Sequence, residues 1–187
     1  MAPVAAVVLA AGEASRFGAP KQQLLLPGIL DRLTAAPIDE IVVVEGAHPL
    51  EPCRDQLHGS TPCRVVRCDA WARGPGASLR CGLARLAPEV EAAVVILADG
   101  PRVAPEAVER VVAAWRQGVA PVVAASYDGI RGHPLVVARS AWDDVPDEGL
   151  RVRDPVLVPC DDLGAPGDVD LPEDLPLDQR ATRGSSA

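Results

Sequence analysis

Apolar residues fall along the chain in short, dense runs separated by stretches with helical spacing. Val4–Leu9 is the first run, unalternating and rich in valine, as a strand buried on both faces has to be. Further strand-like runs follow at Ile41–Val44, Arg64–Arg67 (the weakest), Val94–Leu97, Val122–Ala125 and Leu135–Val137. Helices are expected over Leu50–Leu57, Ser78–Leu86 and Pro105–Gln117. In the second, Leu79, Leu83 and Leu86 recur at i, i+4 and i+7. In the third, Pro105 suits a first turn, Val108, Val111, Val112 and Trp115 form the stripe, and Gly118 ends it. Strands alternating with helices predict an α/β fold, a Rossmann-like three-layer sandwich whose mostly parallel sheet is covered by helices on both faces. After residue 142 the periodicity fades into chain rich in proline and aspartate. The expected division is a single domain over residues 1–176 and a frayed tail over 177–187.

Composition narrows the functional classes. No apolar run approaches the roughly 20 residues of a membrane-spanning helix. The N-terminal MAPVAAVVLAAG has no basic flank, so it reads as a buried strand rather than a signal peptide. Cys53, Cys63, Cys68, Cys81 and Cys160 form no CxxC pair, so neither a disulfide framework nor structural zinc is expected, and the expected setting is a reducing cytoplasm. A net charge of −8 argues against a nucleic-acid-coating protein. That charge is unevenly spread. Residues 1–142 balance fourteen basic against fourteen acidic side chains, whereas residues 143–178 set two arginines against twelve acids. Of the 18 basic residues only Lys21 is a lysine.

In a doubly wound sheet, ligands bind outside the carboxyl ends of the strands, and the candidate motifs sit at such ends. Leu9-Ala10-Ala11-Gly12 opens a loop that runs through Arg16 and Gly18 to Lys21. Its glycines allow close backbone approach, its amides suit an anion, and Arg16 and Lys21 add a bidentate and a point-charge phosphate donor. The spacing matches neither GxGxxG nor GxxxxGK[ST], and a surface loop with two solvated cations is the alternative. Asp99, in Leu97-Ala98-Asp99-Gly100-Pro101, would stand at the mouth of the sheet, where a carboxylate can ligate Mg²⁺; a simple Asp-Gly-Pro turn is the other reading. Asp168 and Asp170 precede Leu171-Pro172-Glu173-Asp174-Leu175, and if extended only one of them points into a site. By itself this segment reads as a solvated acidic tail. Gly132 and His133, in Tyr127-Asp128-Gly129-Ile130-Arg131-Gly132-His133-Pro134, are placed to frame an acceptor, against a purely structural histidine. Ser78, in the glycine-rich lead Trp71–Leu79, serves as a helix N-cap or as part of a ligand site.

Together these motifs resemble the molybdenum-cofactor nucleotidyltransferases of the MobA-like NTP-transferase family, and within it the cytidylyltransferase branch. The pattern LAAGxSxRFGxPK is similar to Leu9–Lys21, with Ser15 one place late. WxxGxxxSL matches Trp71–Leu79, DxP matches Asp99–Pro101, GHP matches Gly132–Pro134 and DxDxPEDL matches Asp168–Leu175. The resemblance implies a nucleotide-diphospho-sugar transferase-like fold and transfer of a nucleoside monophosphate, from CTP in preference to GTP, onto a phosphate-bearing acceptor with release of pyrophosphate. It further implies Mg²⁺ on Asp99 and Asp170, phosphate contacts from Arg16 and Lys21, nucleotide contacts from Leu9, Ala10, Ala11, Gly12 and Ser78, and acceptor contacts from Gly132 and His133. Molybdopterin cofactor is the implied acceptor and a molybdoenzyme or cofactor-insertion protein the implied partner, with neither nucleic acid nor membrane involved. A sugar phosphate or other small acceptor, or a catalytically weak nucleotide-binding accessory protein, are the alternatives. Three segments depart from the branch pattern: QQLLLPGILDRL after Lys21 looks shortened, Gly100 replaces a glutamine, and Glu148-Gly149-Leu150-Arg151 replaces Gly-Asp-x-Gly-Ala-Arg.

Overall fold

A run such as Val4–Leu9 (β1), with no polar residue on either face, is stable only between two covering layers. The computed structural model, which describes residues 1–13, 21–50, 61–152, 154–169, 171 and 174, supplies both. Seven strands are ordered β3-β2-β1-β4-β6-β5-β7: β2 is Glu40–Glu45, β3 Cys63–Arg67, β4 Ala92–Leu97, β5 Val122–Tyr127, β6 Ile130–Ala138 and β7 Val156–Pro159. β1 pairs in parallel with β2 and β4, and β5 pairs in parallel with β7; only β6 runs against its neighbours. Among the described residues three α-helices cover the sheet: α1 (Lys21–Thr34), α2 (Pro75–Leu83) and α3 (Pro105–Arg116). The two-residue period of β1 splits its side chains. Val4, Ala6 and Val8 join Leu25, Leu26 and Ile29 of α1 and Val108, Val111 and Val112 of α3. Ala5 and Val7 meet Leu79 and Leu83 of α2 on the opposite face. This is the three-layer α/β sandwich expected from the sequence. No helix among the described residues is long and apolar enough to cross a membrane.

Several elements differ from the sequence expectation. Helix α1 is new: Pro27-Gly28 punctuates its pattern, yet Leu25, Leu26, Ile29, Leu30 and Leu33 are all buried, and that burial outweighs the amide hydrogen bond Pro27 cannot make. The segment after Lys21 is therefore helix from its first residue. Helix α2 starts at Pro75, three residues early, so Gly74 and not Ser78 is its N-cap. The edge strand β7 was hidden by its brevity and by exposed Val156 and Leu157. Helix Leu50–Leu57 lies, beyond Leu50, outside the described residues. Finally, Cys68 and Cys81 form a disulfide, where no disulfide framework is expected from the sequence. Cys68 follows β3 and Cys81 lies on α2, which packs back over it, so their closeness arises from the tertiary fold and not from the sequence spacing.

The sheet is deliberately open at one point. β4 pairs with β6 only through Ala92–Val95, opposite Ala138–Leu135, leaving Ile96 and Leu97 unpaired on that side. Facing β5, β6 loses register between the Ala124–Leu135 and Ser126–Arg131 pairs, where Gly132, His133 and Pro134 lie. A proline inside a strand is tolerated at such an irregularity, which also re-aims the side chains around it.

Candidate active site

Two cavities occupy the carboxyl ends of β1 and β4. The smaller, about 350 Å³, is lined by Leu9, Ala11, Gly12, Gln22, Ser78 and Asp99, with Trp71 and Pro75. The larger, about 630 Å³, opens where β4 and β6 part and includes Gly132 and His133. Leu9, Pro75 and Leu97 border both, so the two form one cleft with two lobes.

The backbone after β1 is pinned rather than loose. Ala10 N–H donates to Val44 O at 3.0 Å, Ala98 N–H to Leu9 O at 3.1 Å, and Ala47 N–H to Ala11 O at 3.0 Å. Ala10 is buried behind the cavity, while its neighbours face it. Gln22, which the sequence did not single out, holds the loop by donating from Nε2 to Gly12 O at 2.9 Å. Among the described residues a side chain at Gly12 would meet nothing closer than that amide, 3.7 Å away, so their packing does not require glycine there.

Asp99 and Lys21 meet at the floor of the smaller lobe. The Lys21 ammonium, on a side chain only 8% exposed, stands 3.5 Å from Asp99 Oδ2 and donates to Val169 O. Val169 N–H donates in turn to Asp99 O at 3.0 Å. The lone lysine thus ties three motifs that lie far apart in sequence: the start of α1, the end of β4 and the acidic segment. The other carboxylate oxygen, Asp99 Oδ1, and Gln22 Oε1 are both buried with no hydrogen-bond partner among the described residues. An orphaned anionic oxygen in this position is unfavourable unless a cation or donor meets it, and hard oxygen donors suit Mg²⁺ or Mn²⁺. Among the described residues no three His, Cys, Asp or Glu side chains converge on a metal position. Arg16 and Asp170 fall outside the described residues; Asp168 is exposed and lines the larger lobe.

His133 lies in the larger lobe. Burial, reinforced by the nearby charges of Arg131 and Arg151, pushes its pKa down to about 4 against the opposing pull of Asp99. It is a neutral imidazole at neutral pH. Tyr127 Oη donates to His133 O at 2.9 Å, and burial raises that phenol to about 12. Arg131 and Arg151, whose charges act on His133, lie in the Tyr127–Pro134 and Glu148–Arg151 segments, and nothing in the sequence marks them for that effect.

A doubly wound sheet with one reversed strand, a cleft at its β1/β4 mouth and an acid at the end of β4 is the arrangement in which such sheets bind ligands. The sequence matches the MobA-like NTP transferase domain over residues 6–151, and the chain belongs to that family. Among solved structures it is similar to Rv0371c from Mycobacterium tuberculosis H37Rv, with 26% identity, 100% of both chains covered and a TM-score of 0.72. A manganese complex of Rv0371c aligns at 24% identity over 99% of this chain and 100% of that one, with a TM-score of 0.66. CMP:2-keto-3-deoxy-manno-octonic acid synthetase complexed with CTP shares the fold at 13% identity, covering 97% of this chain and 99% of that one, with a TM-score of 0.70. No curated protein matches the chain.

Proposed function

We propose that this enzyme moves a nucleoside monophosphate, CMP from CTP by preference, onto a phosphate-bearing acceptor of the molybdopterin cofactor type. An acceptor phosphate oxygen bonds to the α-phosphorus, the bond to the β-phosphate bridging oxygen breaks, and pyrophosphate leaves with the electron pair. The observation that carries this reading is the two-lobed cleft with Asp99 lining its smaller lobe, one of whose carboxylate oxygens is held by Lys21 while the other is buried without a partner among the described residues. The nucleophile is already ionised, so no side chain need act as base, and positioning with charge neutralisation supplies the acceleration.

The smaller lobe takes the nucleotide. Leu9, Ala10, Ala11 and Gly12 offer backbone to the base and phosphates, and Gly12 leaves room for close approach. Ser78 lies beside the nucleotide. Arg16 and Lys21 neutralise the triphosphate, and Lys21 also fixes the Asp99 carboxylate. Asp99 and Asp170 would hold Mg²⁺, which when bound supplies charge neutralisation on the phosphate oxygens. Gly132 and His133 wall the acceptor lobe, where the neutral imidazole adds no charge of its own. Support for CTP comes from the cytidylyltransferase-like motifs and from the CTP-bound synthetase of the same fold. Support for a divalent cation comes from the orphaned Asp99 oxygen and from the manganese bound by Rv0371c. Residues 1–176 act as one domain in this reading. A cytoplasmic setting has to accommodate the Cys68–Cys81 disulfide.

Calorimetry with CTP, GTP and ATP, with and without Mg²⁺, tests the proposal. CTP binding that strengthens with Mg²⁺ is expected; failure to bind any triphosphate overturns it. Asp99→Ala is expected to abolish pyrophosphate release while retaining the wild-type circular dichroism spectrum. Normal turnover by that variant would remove Asp99 from the metal site.

A further inference from the structure

We propose that Cys68 and Cys81 are a thiol–disulfide modification site that sets how firmly the smaller lobe holds a nucleotide. The proposal rests on the nucleotidyltransferase reading and adds a control to that same cleft. The bond brings two Cα atoms 13 residues apart in sequence to 5.8 Å. Between them lie Trp71, Ala72, Gly74, Pro75 and Ser78, all of which line the smaller lobe. One wall of that lobe is thus a single loop whose two ends the disulfide joins. The other lining residues come from the ends of β1 and β4 and from the start of α1, and none of them is a cysteine.

The two ends of the loop are anchored to different parts of the fold. At its start, Cys68 N–H donates to Glu45 O at 2.9 Å, and a side chain at Gly46 would lie 2.6 Å from Trp71 Cβ, so this end sits tight against the end of β2. The helical end is drawn toward the turn at residues 145–147. Arg73 donates to Asp147 Oδ2 at 3.1 and 2.9 Å, Gly76 N–H to Asp147 O at 2.9 Å, and Arg80 to Asp147 Oδ1 and to Val145 O. Against the sheet, α2 rests on Leu79 and Leu83, whose apolar burial is non-directional. The disulfide is the covalent tie that fixes the helix to the end of β3, and with it the spacing of the wall.

Both redox states have a place in the fold. Cys68 is 1% exposed, and Ala77 O lies 3.6 Å from its sulfur, so the buried thiol formed on reduction has an acceptor waiting. Cys81 is half-buried and is the sulfur a reductant meets first. A thiolate of a dithiol reductant attacks Cys81 Sγ, the S–S bond breaks, and Cys68 leaves as a thiolate that takes up a proton. The reductant's second thiol then displaces Cys81, which leaves as a thiol, and the reductant departs as a cyclic disulfide. Two electrons and two protons pass to the chain. In the reducing setting expected from the sequence, a disulfide of this kind is a sensor rather than a permanent staple.

The full chain, oxidised and then reduced with dithiothreitol, is titrated with Mg²⁺-CTP by calorimetry, while thiol counts fix the redox state and circular dichroism the fold. Reduction is expected to weaken CTP binding about threefold to tenfold, the effect of a wall that has to be ordered on binding. Cys81→Ser is expected to bind as the reduced protein does and to be indifferent to reductant. Hydrogen exchange over residues 69–80 is expected to quicken in both. The reduced wild type needs no substitution, so the comparison holds even if Cys81→Ser does not fold. Equal CTP affinity in the oxidised and reduced wild type, a reductant effect that persists in Cys81→Ser, or no disulfide in the isolated protein overturns the proposal. If no triphosphate binds in either state while exchange over 69–80 follows the redox state, the redox-controlled wall stands and the nucleotidyl-transfer reading falls. If exchange is also indifferent to the redox state, both fall.

Discussion

His133 shows how a single residue's chemistry is set by what surrounds it. A GHP histidine in isolation would titrate near pH 6.5, but burial beside two arginines brings it to about 4. The unfolded chain therefore binds a proton between those two values that the folded chain refuses. Its neutral burial costs nothing above about pH 6.5, and the penalty grows as pH falls toward 4. His133→Gln is expected to match or trail the wild type at pH 7 and to gain on it by at most about 2 kcal/mol at pH 5, read from urea midpoints. A stability gap that does not change with pH would mean that the imidazole titrates normally. Lys21 gives the complementary lesson. Being the only lysine marked it as unusual, but the sequence could not foretell that its ammonium would be shared between Asp99 and Val169 O.

At the level of elements, legibility follows what each segment buries. Strand β1 has the bounds its sequence predicts because both of its faces are apolar, and α3 ends one residue short of the expected Pro105–Gln117 because its stripe is uninterrupted up to its last turn. Helix α1 escaped because Pro27 and Gly28 carry strong local signals that five buried aliphatic side chains override only in the folded protein. The Glu148–Arg151 segment, a departure from the family's pattern, is anchored at its start by a contact with Arg73 and Arg80 that no local spacing reveals. Asp147 makes that contact, and the hydrogen bond from Arg80, followed by those from Arg73, holds its carboxyl below the usual range. The stability it contributes is present above about pH 4 and is lost as pH falls through the lowered value. Asp147→Asn is expected to melt below the wild type at pH 7, with the gap closing on acidification below about pH 4. Equal melting temperatures at pH 7 would show that the turn is held by its backbone bonds alone.

For the whole molecule, totals mislead where distribution informs. A net charge of −8 argued against polyanionic partners, yet the excess acid lies after residue 142, and the cleft is built mainly from the balanced part of the chain. The cysteine count misleads in the same way, since five cysteines without a CxxC pair give no sign of a disulfide. Cys68 and Cys81 nevertheless come together because α2 folds back over the end of β3, joining the sheet to the helix that carries Ser78. The bond spans 13 residues, and closing a loop of that size constrains the unfolded chain by about 2–3 kcal/mol. Reduction is expected to lower the urea midpoint by a corresponding amount, whereas Cys81→Ser should make the midpoint insensitive to reductant. Thiol titration of the unfolded protein should find two more reactive groups after reduction than before. Equal counts before and after would mean that the pair remains reduced in the isolated protein. The free thiols at Cys63 and Cys160 serve as the internal reference in both titrations.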